Sequence, residues 1–204
     1  MPKTKKNTIC FGFDVSSSTV GICSLHVCDK KIIKVEYSYY KPKDEKETEL
    51  GKIFKLYDHI FNYILEQDKK YKNVDYKVFV EDFIMFMPGK SSARTITILS
   101  VYNRTVCLAA NHCLKIEPEL LPVATIRSVL KKVSGNSERV DKEHVPEVLE
   151  KIIKKDLPNW NFRWSVNKKG IPIDECYDQA DGIAAALSGA FRSGILENEK
   201  IRSV

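Results

Sequence analysis

The stretch Ile9-Cys10-Phe11-Gly12-Phe13-Asp14-Val15 constrains the fold of this chain more than any other. It is apolar throughout except for one carboxylate near its end. Four hydroxyl residues follow, Ser16-Ser17-Ser18-Thr19, and a second apolar run opens at Val20-Gly21-Ile22. The pattern predicts a buried strand, a tight turn and a returning strand, with Asp14 at the end of the first strand. An ionised carboxylate in that position costs several kcal/mol, in order of magnitude, unless a cation or hydrogen bonds compensate it. What compensates Asp14, and which other acids meet it, is therefore the question the rest of the sequence has to answer.

A chain of 204 residues with 43% apolar residues builds a core of one-domain size, and a single domain over 1–204 is expected. No apolar run approaches the ~20 residues that span a bilayer. The first seven residues form a basic tail, expected to be disordered, without the apolar segment of a secretion signal. A soluble intracellular protein that is not secreted is the expectation. The six cysteines (Cys10, Cys23, Cys28, Cys107, Cys113 and Cys176) lie mostly in apolar runs and form no CxxC pair. Free thiols in a reducing compartment are expected, and a structural zinc site is not. The net charge of +6 suits a phosphate-rich partner but is only a weak indicator.

Strands are predicted at 8–14, 20–28 and 31–40, with Cys28-Asp29-Lys30-Lys31 as the turn between the last two. Leu50, Ile53, Phe54, Tyr57, Ile60, Phe61 and Ile64 recur at three- and four-residue spacing, which predicts an amphipathic helix over about 47–67. A fourth strand over 76–83 ends in Glu81-Asp82-Phe83. Further along, the sequence predicts a helix at 91–112, a short strand within 114–123, and a helix over 126–133 capped by Thr125. Another helix is expected from about Asp141, then an irregular insert over 156–174 holding Trp160, Phe162 and Trp164, and a last helix over 175–193. Antiparallel strands followed by strand–helix alternation indicate an α/β fold on a mixed sheet.

Three carboxylate stations stand in apolar surroundings. Asp14 ends the first strand, Glu81 follows Val78-Phe79-Val80, and Asp178 and Asp181 are three apart on one helix face. Parallel neighbouring strands would bring Asp14 and Glu81 to one sheet edge, and a helix across that edge would add the other two. Alternation sends Asp82 to the opposite face of its strand. Singly, each acid reads as easily as a turn cap, a strand-end acid or a solvated helix face. Together they would repel one another, and hard divalent cations such as Mg²⁺ or Mn²⁺ relieve that repulsion. Two such ions ~4 Å apart activate water and stabilise a leaving oxygen.

Four motifs in order carry a family resemblance. Phe13-Asp14 with its hydroxyl turn and Val20-Gly21 resembles the first motif of RuvC-like Holliday junction resolvases, in the ribonuclease H-like superfamily. Val78-Phe79-Val80-Glu81 resembles the second, and Asp178-Gln179-Ala180-Asp181-Gly182-Ile183-Ala184 the closing D-x-x-D motif. Between them, Thr125 to Gly135 and then Asp141-Lys142-Glu143-His144-Val145 look like the family's basic stretch. The resemblance implies a ribonuclease H-like fold: a five-stranded mixed sheet, three antiparallel strands then parallel ones, with helices on both faces. It implies Asp14, Glu81, Asp178 and Asp181 as ligands of two Mg²⁺ ions, with Mn²⁺ as a substitute, and Lys142 at the scissile phosphate. Arg127, Lys131 and Lys132 would contact DNA. Phe83 and Phe86 stand where the family carries an apolar wedge, although core packing explains them equally well. The implied activity is metal-dependent hydrolysis of phosphodiester bonds in four-way DNA junctions, by paired symmetric nicks. The implied assembly is a homodimer formed through the helix at 91–112, with branched DNA as partner and no membrane.

The chain departs from the family at several points. Val15-Ser16-Ser17 replaces Pro-Gly after the first acid, Leu130 stands where a Lys is expected, and the 156–174 insert is longer than in compact bacterial members. These suggest a divergent member, viral or phage. A sugar-kinase phosphate loop needs Gly at Ser16, and a P-loop ending in Gly89-Lys90-Ser91 needs Gly at Ile84; both readings fail. Two alternatives remain open on sequence: a nuclease of the same fold acting on other branched DNA or RNA–DNA hybrids, and a catalytically silent nucleic-acid-binding scaffold.

Overall fold

A computed structural model of the chain describes residues 7–16, 18–42, 47–82 and 92–197. Its centre is one five-stranded sheet of order β3-β2-β1-β4-β5. Strands β1 (Asn7–Val15), β2 (Val20–Cys28) and β3 (Lys31–Tyr40) form an antiparallel meander. Strands β4 (Asp75–Asp82) and β5 (Glu119–Pro122) add on in parallel beyond β1. Helices α1 (Glu49–Lys70) and α2 (Ala93–Leu114) cover one face. The other face carries α3 (Val123–Ser134), α4 (Val145–Ile153) and α5 (Asp174–Arg192). The mixed sheet with helices on both faces is the architecture the sequence predicts.

Strand alternation separates two cores. On β1, Ile9, Phe11 and Phe13 face α1 and α2, whereas Cys10 faces α5. Gly12 and Asp14 share the face of Cys10. Being central and covered on both sides, β1 reads as a continuous apolar run rather than an alternating one. Helix α5 lies across β1 and β2 at very short range, because glycines meet there. A Cβ on Gly21 would stand 1.8 Å from the Asp178 carbonyl oxygen, and one on Gly12 would stand 2.2 Å from that of Gly182. The small residues Gly182, Ala184, Ala185 and Ala186 give α5 a buried surface flat enough for this approach.

Element ends differ from the sequence reading in instructive ways. Thr48 caps α1 by accepting from the Gly51 N–H, and Ser92 caps α2 by accepting from that of Thr95. Thr125 caps nothing. Strand β5 runs straight into α3 at Val123, and Pro122 holds the cap position without a side-chain bond. The strand expected within 114–123 shrinks to four residues, because Lys115 ends α2 in the left-handed region before it. The helix expected from Asp141 begins as a short 3-10 turn over Lys142–His144. Cys10, Cys23, Cys28, Cys107, Cys113 and Cys176 are all free thiols. No helix among the described residues is long and apolar enough to cross a membrane.

Candidate active site

The parallel register fixes the first two acids. Gly12 pairs with Phe79 and Phe13 with Val80, so Asp14 and Glu81 occupy the next step, on the α5 face of both strands. Asp14 also pairs across β1–β2 with Gly21, the residue on which the Asp178 backbone rests. That contact sets the height of α5 over the sheet edge and turns Asp178 and Asp181 toward Asp14. All four acids line one cavity of about 410 Å³, together with Arg127, Arg139 and Lys142. Asp82, whose side chain alternation assigns to the opposite face, also reaches this cavity because the strand ends there.

The cluster is buried and acidic. Asp14 is 8%, Asp178 9% and Asp181 5% exposed. Burial raises the Asp14 carboxyl well above its ordinary value, and repulsion from Glu81, Asp181 and Asp178 adds to this. Glu81 rises to about 7, again by burial first, then by repulsion from Asp181. Burial likewise raises Asp181, against Arg127 and Lys142, and raises Asp178 against Lys142. Burial works against the Lys142 ammonium, but Asp181, Asp178 and Asp14 outweigh it and its pKa is raised.

Two side-chain cations partly neutralise the acids. The Arg127 guanidinium donates to Asp181 Oδ1 at 2.7 Å. The Lys142 ammonium lies 3.4 Å from Asp178 Oδ1 and 3.9 Å from Asp181 Oδ2. Asp14 and Glu81 have no ion pair among the described residues. In this arrangement no group of three or more such side chains among the described residues is drawn together tightly enough to hold a metal ion. The donor set nevertheless fits a hard divalent cation: four carboxylates and no thiolate or imidazole, two of them without an ion pair among the described residues, in a pocket that penalises their charge. Asp14 and Glu81 would hold such an ion from the strand ends, and Asp178 and Asp181 from α5.

The other residues singled out in the sequence divide. Arg127, expected to face DNA, turns inward onto Asp181 and is mostly buried. Lys131 and Lys132 occupy the last turn of α3, outside the cavity lining. Phe83 and Phe86 lie outside the described residues. Two further residues bear on the site without having been anticipated. Asn103 of α2 is fully buried and donates to the Glu81 carbonyl oxygen at 2.8 Å, which anchors the end of β4. Arg139 stands at the cavity mouth, exposed, with Asp141 3.4 Å away.

No family model and no curated protein matches the sequence. Solved structures do. RuvC of T. thermophilus in complex with a Holliday junction substrate superposes with a TM-score of 0.61, over 92% of this chain and 96% of that one, at 14% identity. The fold is that of RuvC. A second structure of Thermus thermophilus RuvC gives a TM-score of 0.58 over the same shares, at 14% identity. The yeast mitochondrial Holliday junction resolvase gives 0.55 over 88% of this chain and 76% of that one, also at 14% identity. The RuvC-like α/β fold that the four short motifs lead one to expect is therefore present over nearly the whole chain.

Proposed function

We propose that this chain is a structure-selective endodeoxyribonuclease that resolves four-way DNA junctions by metal-dependent phosphodiester hydrolysis. The observation that carries the reading is the convergence of Asp14, Glu81, Asp178 and Asp181, from three separate elements, in one cavity on the RuvC fold. Such a cluster has no structural use, since it disfavours the folded state at neutral pH.

Mg²⁺ or Mn²⁺ held by these carboxylates would supply activation of water and stabilisation of the phosphorane and leaving oxygen. The chain's own groups do the rest. Lys142 Nζ, half-exposed above Asp178, reaches a phosphate oxygen at the cavity mouth and stabilises charge developing there. Arg139 offers a second phosphate contact at the rim. Arg127 holds Asp181 in place, so this carboxylate keeps one orientation as the substrate enters. Two symmetric nicks need two such sites, and a homodimer supplies them. Exposed Val101 and Leu108 on α2, and Leu50 and Phe54 on α1, support a self-association face on these two helices.

The test compares a mobile four-way junction, a Y-fork, a duplex and an RNA–DNA hybrid, each with Mg²⁺ and with EDTA. Symmetric nicks on the junction, dependent on Mg²⁺, are expected. Asp14→Asn should abolish cleavage and retain junction binding; Mg²⁺-dependent cutting by that variant overturns the assignment of the site. Preference for the fork or the hybrid would keep the nuclease and change its substrate.

A further inference from the structure

The insert before α5 is built as a tongue. Val166 pairs with Pro172 in an antiparallel bridge, the Ile173 N–H donates to the Ser165 carbonyl, and the Asn167 N–H donates to that of Ile171. The Asn167 side-chain oxygen accepts from the N–H groups of Lys169 and Ile171, and Gly170 turns the tip at φ +77°. Its root is fixed: the Ser165 N–H donates to the buried Cys176 thiol, whose Sγ donates back to the Ser165 carbonyl.

Its surface is unlike that of a solvated loop. Trp164 is 41%, Val166 55% and Ile171 56% exposed. Between 163 and 171 the chain carries Arg163, Lys168 and Lys169 and no acid. Lys168 and Lys169 stand in no ion pair among the described residues. A row of rings, Tyr37, Phe162, Trp164 and Tyr177, supports the indole: Trp164 meets Phe162 at 5.1 Å and Tyr177 at 5.7 Å, both nearly perpendicular. Those contacts hold the ring in one orientation without burying it.

Position gives these features a use. Tyr177 directly precedes Asp178. Lys41, just past the end of β3, pairs with Glu175 at 2.5 Å, so the root of the tongue sits at the sheet edge where Asp14 ends. A groove of about 720 Å³ between β3 and the insert, lined by Tyr37, Trp160, Asn161, Arg163 and Gln179, continues from it. Exposed aromatic and aliphatic side chains flanked by unpaired cations match a nucleic acid with accessible bases: the rings stack on a base face and the cations meet backbone phosphates. An exposed apolar patch without such a partner would be a liability.

We propose that the tongue over 165–173, with Trp164 at its root, is a DNA-contacting arm. Trp164 stacks on an unpaired or strand-end base at the branch point, and Lys168 and Lys169 hold the phosphates beside it. This rests on the junction nuclease reading above and adds to it a contact on the α5 side of the site.

The test uses the full chain carrying Asp14→Asn, so that junctions are bound and not cut. With Trp160→Phe, Trp164 is the remaining tryptophan of the two. A four-way junction should quench its fluorescence, and a blunt duplex should do so much less. Trp164→Ala should weaken junction binding by about tenfold, in line with one lost base stack. Lys168→Ala with Lys169→Ala should lower the slope of log affinity against log salt by about 1.8, as expected for two phosphate contacts. If the parent binds the junction while Trp164 is not quenched and both variants bind with the parent's affinity and slope, the arm is refuted and the nuclease reading stands. If the Asp14→Asn chain binds no junction and the unsubstituted chain cuts none, both fall.

Discussion

Gly21→Ala should disable the site without touching any of its side chains. Gly21 lies opposite Asp14 in the β1–β2 ladder, and its missing Cβ is replaced by the Asp178 backbone. An alanine would place Cβ 1.8 Å from the Asp178 carbonyl oxygen and 2.4 Å from its carbon, where contacts under 3.0 Å are essentially never found. Both offending atoms are backbone, so no rotamer change relieves them. Either α5 retreats or β2 bends, and reaching 3.0 Å from 1.8 Å requires a displacement of about 1.2 Å. Gly182, whose own Cβ would stand 2.9 Å from the Gly21 carbonyl carbon, leaves no slack on the other side.

Two consequences follow from that displacement. Overpacking of this kind costs about 1–3 kcal/mol, which for a chain of this size lowers Tm by about 2–12 °C. Because Asp178 and Asp181 ride on α5, they move away from Asp14 and Glu81 by a comparable distance. Misplacement of about 1 Å in a catalytic constellation costs on the order of 10²-fold in rate. The assay is single-turnover cleavage of a four-way junction at saturating enzyme and Mg²⁺, which separates chemistry from binding, alongside thermal unfolding. Gly51→Ala is the control. Its Cβ would meet only the movable Glu47 side chain, and an alanine in the first turn of α1 should leave cleavage alone and raise stability by about 0.5–1 kcal/mol. If Gly21→Ala melts and cleaves as the parent does, the glycine contact does not set the site's geometry.

The remaining expectations concern metal, pH and assembly. In EDTA, Glu81 keeps its proton up to about pH 7 in the folded chain but loses it near 4.5 when unfolded, so Tm should fall as pH rises through that window. Glu81→Gln should flatten the fall, and Mg²⁺ should raise Tm most above pH 7; a Tm that rises with pH in EDTA contradicts the excess of buried negative charge. Leu108→Glu, on the exposed stripe of α2, should convert a dimer to a monomer in light scattering while Tm stays within a few degrees. A parent that is already monomeric, or a variant that stays dimeric, would refute this face.

How far the sequence reveals this molecule depends on whether a feature is local or set by packing. The alternation in β1 and β4 shows that Asp14 and Glu81 share a face, and the parallel pairing of their strands then makes them neighbours. The run of small residues after Asp181 marks α5 as buried and its opening acids as partnered. Arg127 was harder. Its place on α3 gives it a helix face, but whether that face meets solvent or carboxylates depends on how α3 crosses α5, which no local pattern encodes. Asn103 carried a usable signal: it falls on the buried stripe of α2 with Val106 and Ala110, where an unpartnered amide is costly, so it had to bond something.

The tongue was the least legible. It is held by one β-bridge, an asparagine-capped turn and a thiol contact, none of which produces a periodic pattern. The aromatics Trp160, Phe162 and Trp164 were visible at alternate positions, but not the rings they pack on: Tyr37 and Tyr177, from elements outside the insert. Packing explains Phe162, which is buried, and leaves Trp164 unaccounted for. On the proposed function, an indole at the root of a basic tongue, beside an acidic cavity, would separate the two needs of a junction enzyme. Arg139 and Lys142 would attract phosphate at the rim, and the buried carboxylates would keep inside the negative field that receives cations.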